Sequence, residues 1–229
     1  QERPGTPVLR RRAAPQRQAA GAHPGAPGAV TISRVYSASG SRRVGNDEIV
    51  AAFPEFTPEA VVRRTGIETR SWAGQGETVL SLATRAARAA LEGEGLAIGQ
   101  IDAVVCSTGT PTRVTPSLAC LLLHQLAAGT AHAEIPAHDI NAACSGYLYA
   151  LRTAYDHIQS RPGDRVLVVT SEVLSPLLDP HDFDTVIIFG DAASATIVSG
   201  PARAGAARAR LHRPALSARG EDGHILSVP

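Results

Sequence analysis

The sequence predicts an α/β fold with a central sheet, and two features of the chain indicate it. Helical and extended stretches alternate, since the segment 77–91 carries apolar residues at helical spacing, an apolar run follows at 101–107, and a Thr-Pro pair at 115–116 opens another helical stretch. Runs rich in Val and Ile at 165–170 and 186–189 are typical of strands covered on both faces. With 229 residues and 44% hydrophobic side chains, the chain can bury a sizeable core.

Local signals predict the elements near the start of the chain. Residues 29–36 alternate in polarity and are predicted to form the first strand. Asn46 is predicted to cap a short helix that runs through Phe53. Thr57, followed by a proline suited to the first helical position, is predicted to cap a second helix that ends near Gly66.

Similar signals predict the later elements. Residues 192–198 read as a further strand, and residues 208–214 with 225–228 are predicted to form a final hairpin joined by the turn 220–223. The segment 1–28 is rich in Ala, Arg, Pro and Gly and lacks apolar periodicity, so we expect a disordered tail or linker. Its arginine run leaves open a transit peptide or an arm that contacts phosphate.

Composition and charge limit the function classes. A net charge of +1 argues against a dedicated nucleic-acid-binding or membrane-surface protein, and no apolar run has the length of a membrane span. Cys106, Cys120 and Cys144 match neither a disulfide framework nor a metal-binding pattern, so a reducing cytoplasm is the expected location and no metal or cofactor is implied. Cys106 and Cys120 lie inside apolar runs and are predicted to pack in the core.

Cys144 lies where an extended segment becomes helical. Residues 135–140 are short and apolar enough for a buried strand, and a helical stripe follows, formed by Tyr147, Leu151, Tyr155 and Ile158. The unpaired N–H groups and the positive dipole end of a first helical turn stabilise an anion, which favours the nucleophilic thiolate and could hold the oxyanion of an acyl-transfer intermediate. The alternative for an isolated cysteine is a buried structural residue.

Four segments, in order and in register, resemble one family. The segment 139–151 resembles the active-site segment of the β-ketoacyl-acyl-carrier-protein synthase III enzymes, which are thiolase-like condensing enzymes. Residues 63–67 resemble the family's Arg-Thr-Gly-Ile segment, residues 165–174 its next core strand, and residues 189–191 its Phe-Gly-Asp turn. The resemblance extends from about residue 29 to residue 229.

The resemblance implies a fold, a nucleophile and a missing part. It implies the first, N-terminal half of a pseudo-duplicated αβαβα sandwich, spanning residues 29–229, with Cys144 as the catalytic nucleophile. The family's second half supplies a His and an Asn, and none of the eight histidines here matches that position. We therefore expect a homodimer, or a hetero-oligomer with a chain that supplies the C-terminal half.

The resemblance also implies substrate contacts, some of which this sequence changes. Arg64 matches a retained arginine and is expected to meet a phosphopantetheine or nucleotide phosphate, with a solvated helix end as the alternative. The family's Asp-Pro-x-Asp-Arg segment ends here in Phe183, and its early Trp is missing, which weakens the case for free coenzyme A thioesters and leaves carrier-bound acyl groups. Thr115 matches the position that, across the dimer, closes the far end of the neighbouring subunit's acyl tunnel, with a helix cap as the alternative.

The implied reaction is acyl transfer to Cys144, followed by decarboxylative condensation with a malonyl acyl-carrier-protein thioester. Two alternatives remain from the sequence: an acyltransferase of the same fold that acts on a hydroxyl or an amine, and a non-catalytic partner subunit in a heteromeric assembly. Covalent catalysis of this kind divides one difficult acyl transfer into two easier steps.

Overall fold

The computed structural model describes residues 29–128, 134–203 and 209–222. Within these residues the strands are β1 (Thr31–Ile32), β2 (Tyr36–Ser39), β3 (Arg42–Gly45), β4 (Thr69–Trp72), β5 (Ala103–Ser107), β6 (Ala137–Ile140), β7 (Arg165–Glu172), β8 (Ala192–Ser199) and β9 (Ala209–Arg210). The helices are α1 (Asn46–Val50), α2 (Pro58–Thr65), α3 (Val79–Gly93), α4 (Leu118–Ala127), α5 (Gly146–Ser160) and α6 (Phe183–Val186). None of these helices has the length and apolar character needed to span a bilayer.

A mixed sheet forms the centre of the molecule. Its strand order is β6-β5-β7-β8-β1-β9, and β2 also pairs with β8. β5 pairs in parallel with both β6 and β7, whereas β8 runs antiparallel to β7, β1 and β2. Helices α3 and α4 pack with buried residues of one face of the sheet, and α5 packs with those of the other.

A smaller apolar cluster lies beside the sheet. It contains residues of α1, α2, α6 and the two-stranded antiparallel sheet of β3 and β4. Within it Arg70 is buried and donates through Nη2 to Asn46 Oδ1 at 2.7 Å and to the Ile187 carbonyl at 3.0 Å. Burial lowers the pKa of the Arg70 guanidinium. These bonds join β4 to the segment that follows α6.

Several predicted elements are confirmed. Thr57 caps α2 by accepting from the Ala60 N–H, and the helix stops at Gly66, whose φ of 74° favours glycine. The predicted helix 77–91 is α3, and the predicted strands 101–107, 165–170 and 192–198 are β5, β7 and β8. These elements carry their own start and stop signals or long β-branched runs.

Other predictions about local structure are wrong. The first strand divides into β1 and β2, with an interruption at residues 33–35. Asn46 is the first residue of α1 and not its cap, because its side-chain amide donates to the Ile67 carbonyl at 2.8 Å. The run 186–189 is not a strand, since Asp182 caps the short helix α6 and Val186 and Ile187 turn into the small cluster.

The prediction for Cys120 is also wrong, whereas the final hairpin lies partly outside the described residues. Cys120 is exposed, because α4 buries Leu118, Ala119 and Leu122 and position 120 points away from that face. Residues 209–210 form β9, which pairs with β1, and the predicted hairpin partner of this strand is not among the described residues. The tail 1–28 and the predicted strand 225–228 lie outside the described residues.

Candidate active site

Cys144 lies on a tight turn between a strand and a helix, as its sequence context predicts. β6 ends at Ile140, residues Ala143–Ser145 form a single 3-10 turn, and α5 begins at Gly146. Cys144 is exposed on this turn. The preceding residue, Ala143, has a φ of 44°, a left-handed conformation that is unfavourable for any residue with a Cβ atom. The chain therefore holds a strained backbone next to its candidate nucleophile.

Hydrogen bonds within the turn fix its shape. The Ser145 N–H donates to the Ala142 carbonyl at 3.0 Å, and the Gly146 N–H donates to the Ala143 carbonyl. Both amides are thus committed within the turn, so neither is an available oxyanion donor. The Ala143 N–H points to Asn141 Oδ1 at 3.5 Å.

Gly146 allows α5 to approach β5 closely. A Cβ atom at this position would overlap Ser107 Oγ and lie 3.2 Å from Ser107 Cβ. Ser107 is the last residue of β5 and is buried. Gly146, two residues after Cys144, is therefore required by packing, and it brings the start of α5 against the end of β5.

The loop that leaves β5 begins beside the Cys144 turn. The Thr108 N–H donates to the Ile140 carbonyl at 3.2 Å, so the ends of β5 and β6 stay together. A Cβ atom at Gly109 would lie 3.8 Å from Asn141 Oδ1 and 3.8 Å from Glu172 Oε1. The start of this loop is consequently placed between the segment that leads to Cys144 and the end of β7.

Two carboxylates bind the ends of the same loop. Glu172 accepts from the Gly109 N–H and from the Thr110 hydroxyl, each at 2.7 Å. Asp139 accepts from the N–H groups of Leu118 and Ala119, at 2.6 and 2.8 Å. Sequence reasoning missed both roles, because these partners are 20 or more positions away.

The aspartate of the Phe-Gly-Asp turn joins three loops. Asp191 is buried and accepts from the backbone N–H groups of Ala73, Leu174 and Ser175 at 2.6 to 2.9 Å. It also accepts from the Ser175 hydroxyl at 2.5 Å. The residues after it continue directly into β8, and Ala192 has no positive φ, so alanine fits this turn without strain.

Arg64 belongs to α2, a helix of the small cluster, whereas Cys144 lies at the edge of the central sheet. It lies in the last turn of α2 and pairs with Asp184 Oδ1 at 2.8 Å, and both side chains are more than half exposed. Phe183 is buried beside it and stacks on Phe56 with ring centroids 3.7 Å apart. The phenyl ring that replaces the family's arginine is therefore part of a core, and Arg64 already has a carboxylate partner.

Thr115 lies on the exposed stretch 111–116 of the loop between β5 and α4. It does not cap the helix, because α4 begins at Leu118 and Ser117 caps it by accepting from the Cys120 N–H. The helix-cap alternative for Thr115 is thus wrong. Its loop and the Cys144 turn leave neighbouring parallel strands at the same edge of the sheet.

The three cysteines differ in their surroundings. Cys106 is buried in β5, and burial, with a smaller effect of the Asp139 charge, raises the pKa of its thiol well above the usual value. Cys120 and Cys144 are exposed. A general thiol reagent will consequently label two accessible cysteines, so peptide mass spectrometry is needed to identify which of them has reacted.

Comparisons with known proteins identify the family. Residues 138–213 match the family model of 3-oxoacyl-[acyl-carrier-protein (ACP)] synthase III. The chain is 39% identical over 172 residues to a β-ketoacyl-[acyl-carrier-protein] synthase III of Novosphingobium aromaticivorans, which is 74% of this chain and 52% of that protein. The chain spans about half the length of the curated relatives it matches.

Solved structures show the same fold. The crystal structure of 3-oxoacyl-[acyl-carrier-protein] synthase III from Aquifex aeolicus superposes with a TM-score of 0.69 at 35% identity, covering 74% of this chain and 53% of that one. The priming β-ketosynthase of a polyketide biosynthetic pathway gives a TM-score of 0.69 at 32% identity, covering 80% and 53%.

The sheet, its covering helices and the cysteine turn thus define a thiolase-like condensing-enzyme fold. Over the matched residues, the chain belongs to the β-ketoacyl-[acyl-carrier-protein] synthase III family, as its sequence motifs indicate.

Proposed function

We propose that this chain carries the acyl-accepting half of a ketosynthase III and that Cys144 is its nucleophile. The observation that supports the proposal is an exposed cysteine on a strained turn between a parallel strand and a helix, in a chain whose relatives are named β-ketoacyl-[acyl-carrier-protein] synthase III.

The first step is transfer of an acyl group to the cysteine. The Cys144 sulfur attacks the carbonyl carbon of an acyl thioester, a new C–S bond forms, and the donor's C–S bond breaks. The donor leaves as a free thiol that carries the proton released from Cys144. An exposed turn suits this step because the thioester carbonyl must approach the sulfur directly.

The second step is condensation with the malonyl carrier-protein thioester. Loss of carbon dioxide leaves a carbanion that attacks the acyl-cysteine carbonyl, so a C–C bond forms and the bond to Cys144 breaks. The family resemblance assigns the His and Asn that assist this step to the C-terminal half. We propose that this half comes from the same protein beyond the present sequence or from a separate chain, in a homodimer or hetero-oligomer.

We further propose that a carrier-bound acyl thioester is a better donor than an acyl thioester of coenzyme A. Phe183 occupies, with its ring buried against Phe56, the position at which the family resemblance implies a nucleotide-contacting arginine. The Arg64 guanidinium is paired with Asp184, and a phosphate would have to compete with this carboxylate. Exposed pairs of this kind contribute little, about 0 to 1 kcal/mol, so a weakened contact remains at Arg64.

Mass spectrometry of acylated peptides tests the first step. In a Cys120→Ser background, incubation with an acyl carrier-protein thioester should add the acyl mass to the Cys144 peptide, and Cys144→Ala should abolish the adduct. An adduct that persists in Cys144→Ala would refute the assignment. Absence of any adduct in the parent protein would favour a non-catalytic subunit.

Release of labelled carbon dioxide tests the second step. With the complementing half present, acylated protein and carboxyl-labelled malonyl carrier protein should release carbon dioxide in proportion to the β-ketoacyl product. Turnover of the Cys144 adduct by a hydroxyl or amine acceptor without carbon dioxide would instead indicate an acyltransferase.

A further inference from the structure

The start of α5 lacks the local signal that secures the other long helices of this chain. Ser145, at the position before the helix, makes no side-chain capping hydrogen bond. In contrast, α2, α3 and α4 each begin with a hydroxyl that accepts from a backbone N–H of the first turn. The first N–H groups of a helix have no partner within it, and a cap stabilises them. Contacts from elsewhere in the fold must therefore hold α5 where the Cys144 turn leads into it.

The turn that precedes α5 adds to this requirement. Ala143 has a φ of 44°, which is unfavourable for a residue with a Cβ atom. Its carbonyl accepts from the Gly146 N–H, so the strained residue is joined directly to the first residue of α5. A strained backbone persists only where the surrounding structure determines its shape. The shape of the Cys144 turn thus depends on what fixes the first residues of α5.

Tyr147, the second residue of α5, makes a contact of this kind. Its hydroxyl lies 2.9 Å from Thr196 Oγ1, so the two side chains share a hydrogen bond between residues 49 positions apart. The Tyr147 ring is partly buried against the apolar cluster beneath α5. Thr196 is fully buried in β8, which pairs with β7 on one side and with β1 and β2 on the other. The Thr196 hydroxyl is therefore a well-fixed partner for the first turn of the helix.

The neighbouring contact between Gly146 and Ser107 acts differently. The absence of a side chain at Gly146 lets the helix approach Ser107, but it supplies no polar attraction. Among the described residues, the bond from Tyr147 to Thr196 is the only side-chain hydrogen bond between residues 146–149 and the sheet. It is consequently the polar contact that draws the first turn of α5 towards the sheet.

We propose that Tyr147 is a positioning residue whose hydroxyl, bonded to Thr196, holds the first turn of α5 and thereby keeps the strained Cys144 turn in its observed shape. Tyr147 acts through the backbone of the turn and takes no part in bond making. The consequence for acylation rests on the proposed function of Cys144. The hold on the turn is independent of that reaction, because it follows from the contacts of the folded chain.

Three variants remove the bond and one retains it. Tyr147→Phe deletes only the hydroxyl, and Thr196→Val replaces the other hydroxyl with a methyl group of similar size. Because both changes remove the same bond, the double variant should behave like either single variant. Thr196→Ser keeps a hydroxyl at the same position and should keep the behaviour of the parent protein.

Thr170→Val is the matched control. Thr170 Oγ1 lies 2.9 Å from Ser194 Oγ, which is the same kind of hydroxyl bond, but it joins β7 to β8 and does not involve α5. A general weakening of the sheet would therefore affect this control as well. Tyr155→Phe is a second control, since Tyr155 packs against the same apolar cluster from later in α5.

The first measurement is hydrogen exchange at the backbone amides of Ser145 and Gly146, which close the Cys144 turn. Tyr147→Phe and Thr196→Val should each raise these exchange rates about fivefold, the factor expected from the net contribution of one hydrogen bond to a local opening equilibrium. The double variant should show the same factor. Thr196→Ser, Thr170→Val and Tyr155→Phe should keep the parent rates. Nuclear magnetic resonance of the isotope-labelled chain resolves the individual amides.

The second measurement is the acylation rate of Cys144 by an acyl carrier-protein thioester, followed by peptide mass spectrometry in a Cys120→Ser background. Tyr147→Phe and Thr196→Val should lower the limiting rate about fivefold, because the same opening of the turn removes the thiol from its position. The donor concentration at half-maximal rate should not change. The control variants should keep both values.

Several outcomes would overturn the inference. Unchanged exchange of the turn amides in Tyr147→Phe and Thr196→Val would do so, as would an equal rise in Thr170→Val or effects that multiply in the double variant. A response in exchange with an unchanged limiting rate of acylation would also overturn the positioning role, because the shape of the turn would then not matter to the thiol.

The two measurements separate this inference from the proposed function. If no acyl thioester labels Cys144 but the exchange rates respond as described, the proposed acyl transfer is wrong and the hold of Tyr147 on the turn stands. If acylation occurs but the exchange rates do not respond, the inference about Tyr147 is wrong and the proposed function stands.

Discussion

Replacing Gly146 with alanine would add a Cβ atom at the point where α5 meets β5. That atom would overlap Ser107 Oγ and lie 3.2 Å from Ser107 Cβ, and Ser107 is only 3% exposed, so it has little room to yield. Overpacking of this kind costs about 1 to 3 kcal/mol. Alanine in place of glycine in a helix returns about 0.5 to 1 kcal/mol, so we expect Gly146→Ala to lower the free energy of unfolding by about 1 to 2 kcal/mol.

A double-mutant cycle identifies the cause. Ser107→Ala removes the overlapping oxygen and leaves the 3.2 Å contact, which a shift of a few tenths of an ångström relieves. The double variant Ser107→Ala with Gly146→Ala should therefore regain parental stability, with a coupling energy of about 1.5 kcal/mol or more. Urea unfolding followed by circular dichroism supplies the four free energies, and Gly163→Ala, where an added Cβ meets no atom within 4 Å, serves as a packing control.

The same variants test the link to the nucleophile. Because Gly146 directly follows the Cys144 turn, Gly146→Ala should also slow acylation of Cys144, and Ser107→Ala should restore the rate. The packing argument would be refuted if the effects of the two substitutions on the free energy of unfolding were additive. It would also be refuted if Ser107→Ala left the acylation rate of Gly146→Ala unchanged.

Three further predictions concern other parts of the chain. Backbone N–H groups of Gly74 and Ser41 donate to Glu77 and lower its pKa to about 2, so the ionised carboxylate stabilises the fold fully above about pH 4.5, and this stabilisation is lost as the pH falls towards 2. Glu77→Gln should therefore lower the free energy of unfolding by about 2 kcal/mol at pH 7 and by little near pH 2, as measured by urea unfolding at both pH values through Trp72 fluorescence. Ala143→Gly relieves the strain of the positive φ, so it should raise the free energy of unfolding by up to about 1 kcal/mol and slow acylation of Cys144. A loss of stability would contradict the inference that Ala143 is strained. Thr115→Phe should reduce acylation by long acyl thioesters relative to acetyl about tenfold, with Thr112→Phe on the same loop as the control; equal effects of the two would count against a pocket position.

Elements with local signals were predictable from the sequence. The Thr57 cap and the Gly66 stop of α2 lie within the helix's own segment, and the structure places both where the sequence does. The run 186–189 shows the opposite case, because four apolar residues fit a strand or a helix equally well. Its conformation is set by Asp182 as a cap and by the aromatic cluster around Phe183, neither of which the run itself contains.

The candidate site likewise has one part that the sequence predicts and another that it does not. The position of Cys144 at a strand-to-helix turn followed from apolar spacing on both sides, and the structure agrees. Glu172 carried no signal, since its bonds to Gly109 and Thr110 cross 63 and 62 positions of sequence. Cys120 was misassigned because its apolar neighbours indicate a buried helix without indicating which face position 120 occupies.

The placement of β1 determines when the sheet can form during synthesis. Thr31 and Ile32 pair with Ser199 and Val198 on one side and with β9 on the other, so the first described strand is inserted between the last two described strands. The Thr31 hydroxyl donates to a carbonyl 168 positions away. On a ribosome that adds about 5 to 20 residues per second, β1 and β2 must wait roughly 10 to 30 seconds for β8 to emerge. The hydrogen-bonding edges of these early strands are exposed throughout that time, and pairings so distant in sequence form slowly. The nascent chain is therefore most vulnerable to aggregation and to chaperone capture before Ala192–Ser199 is available.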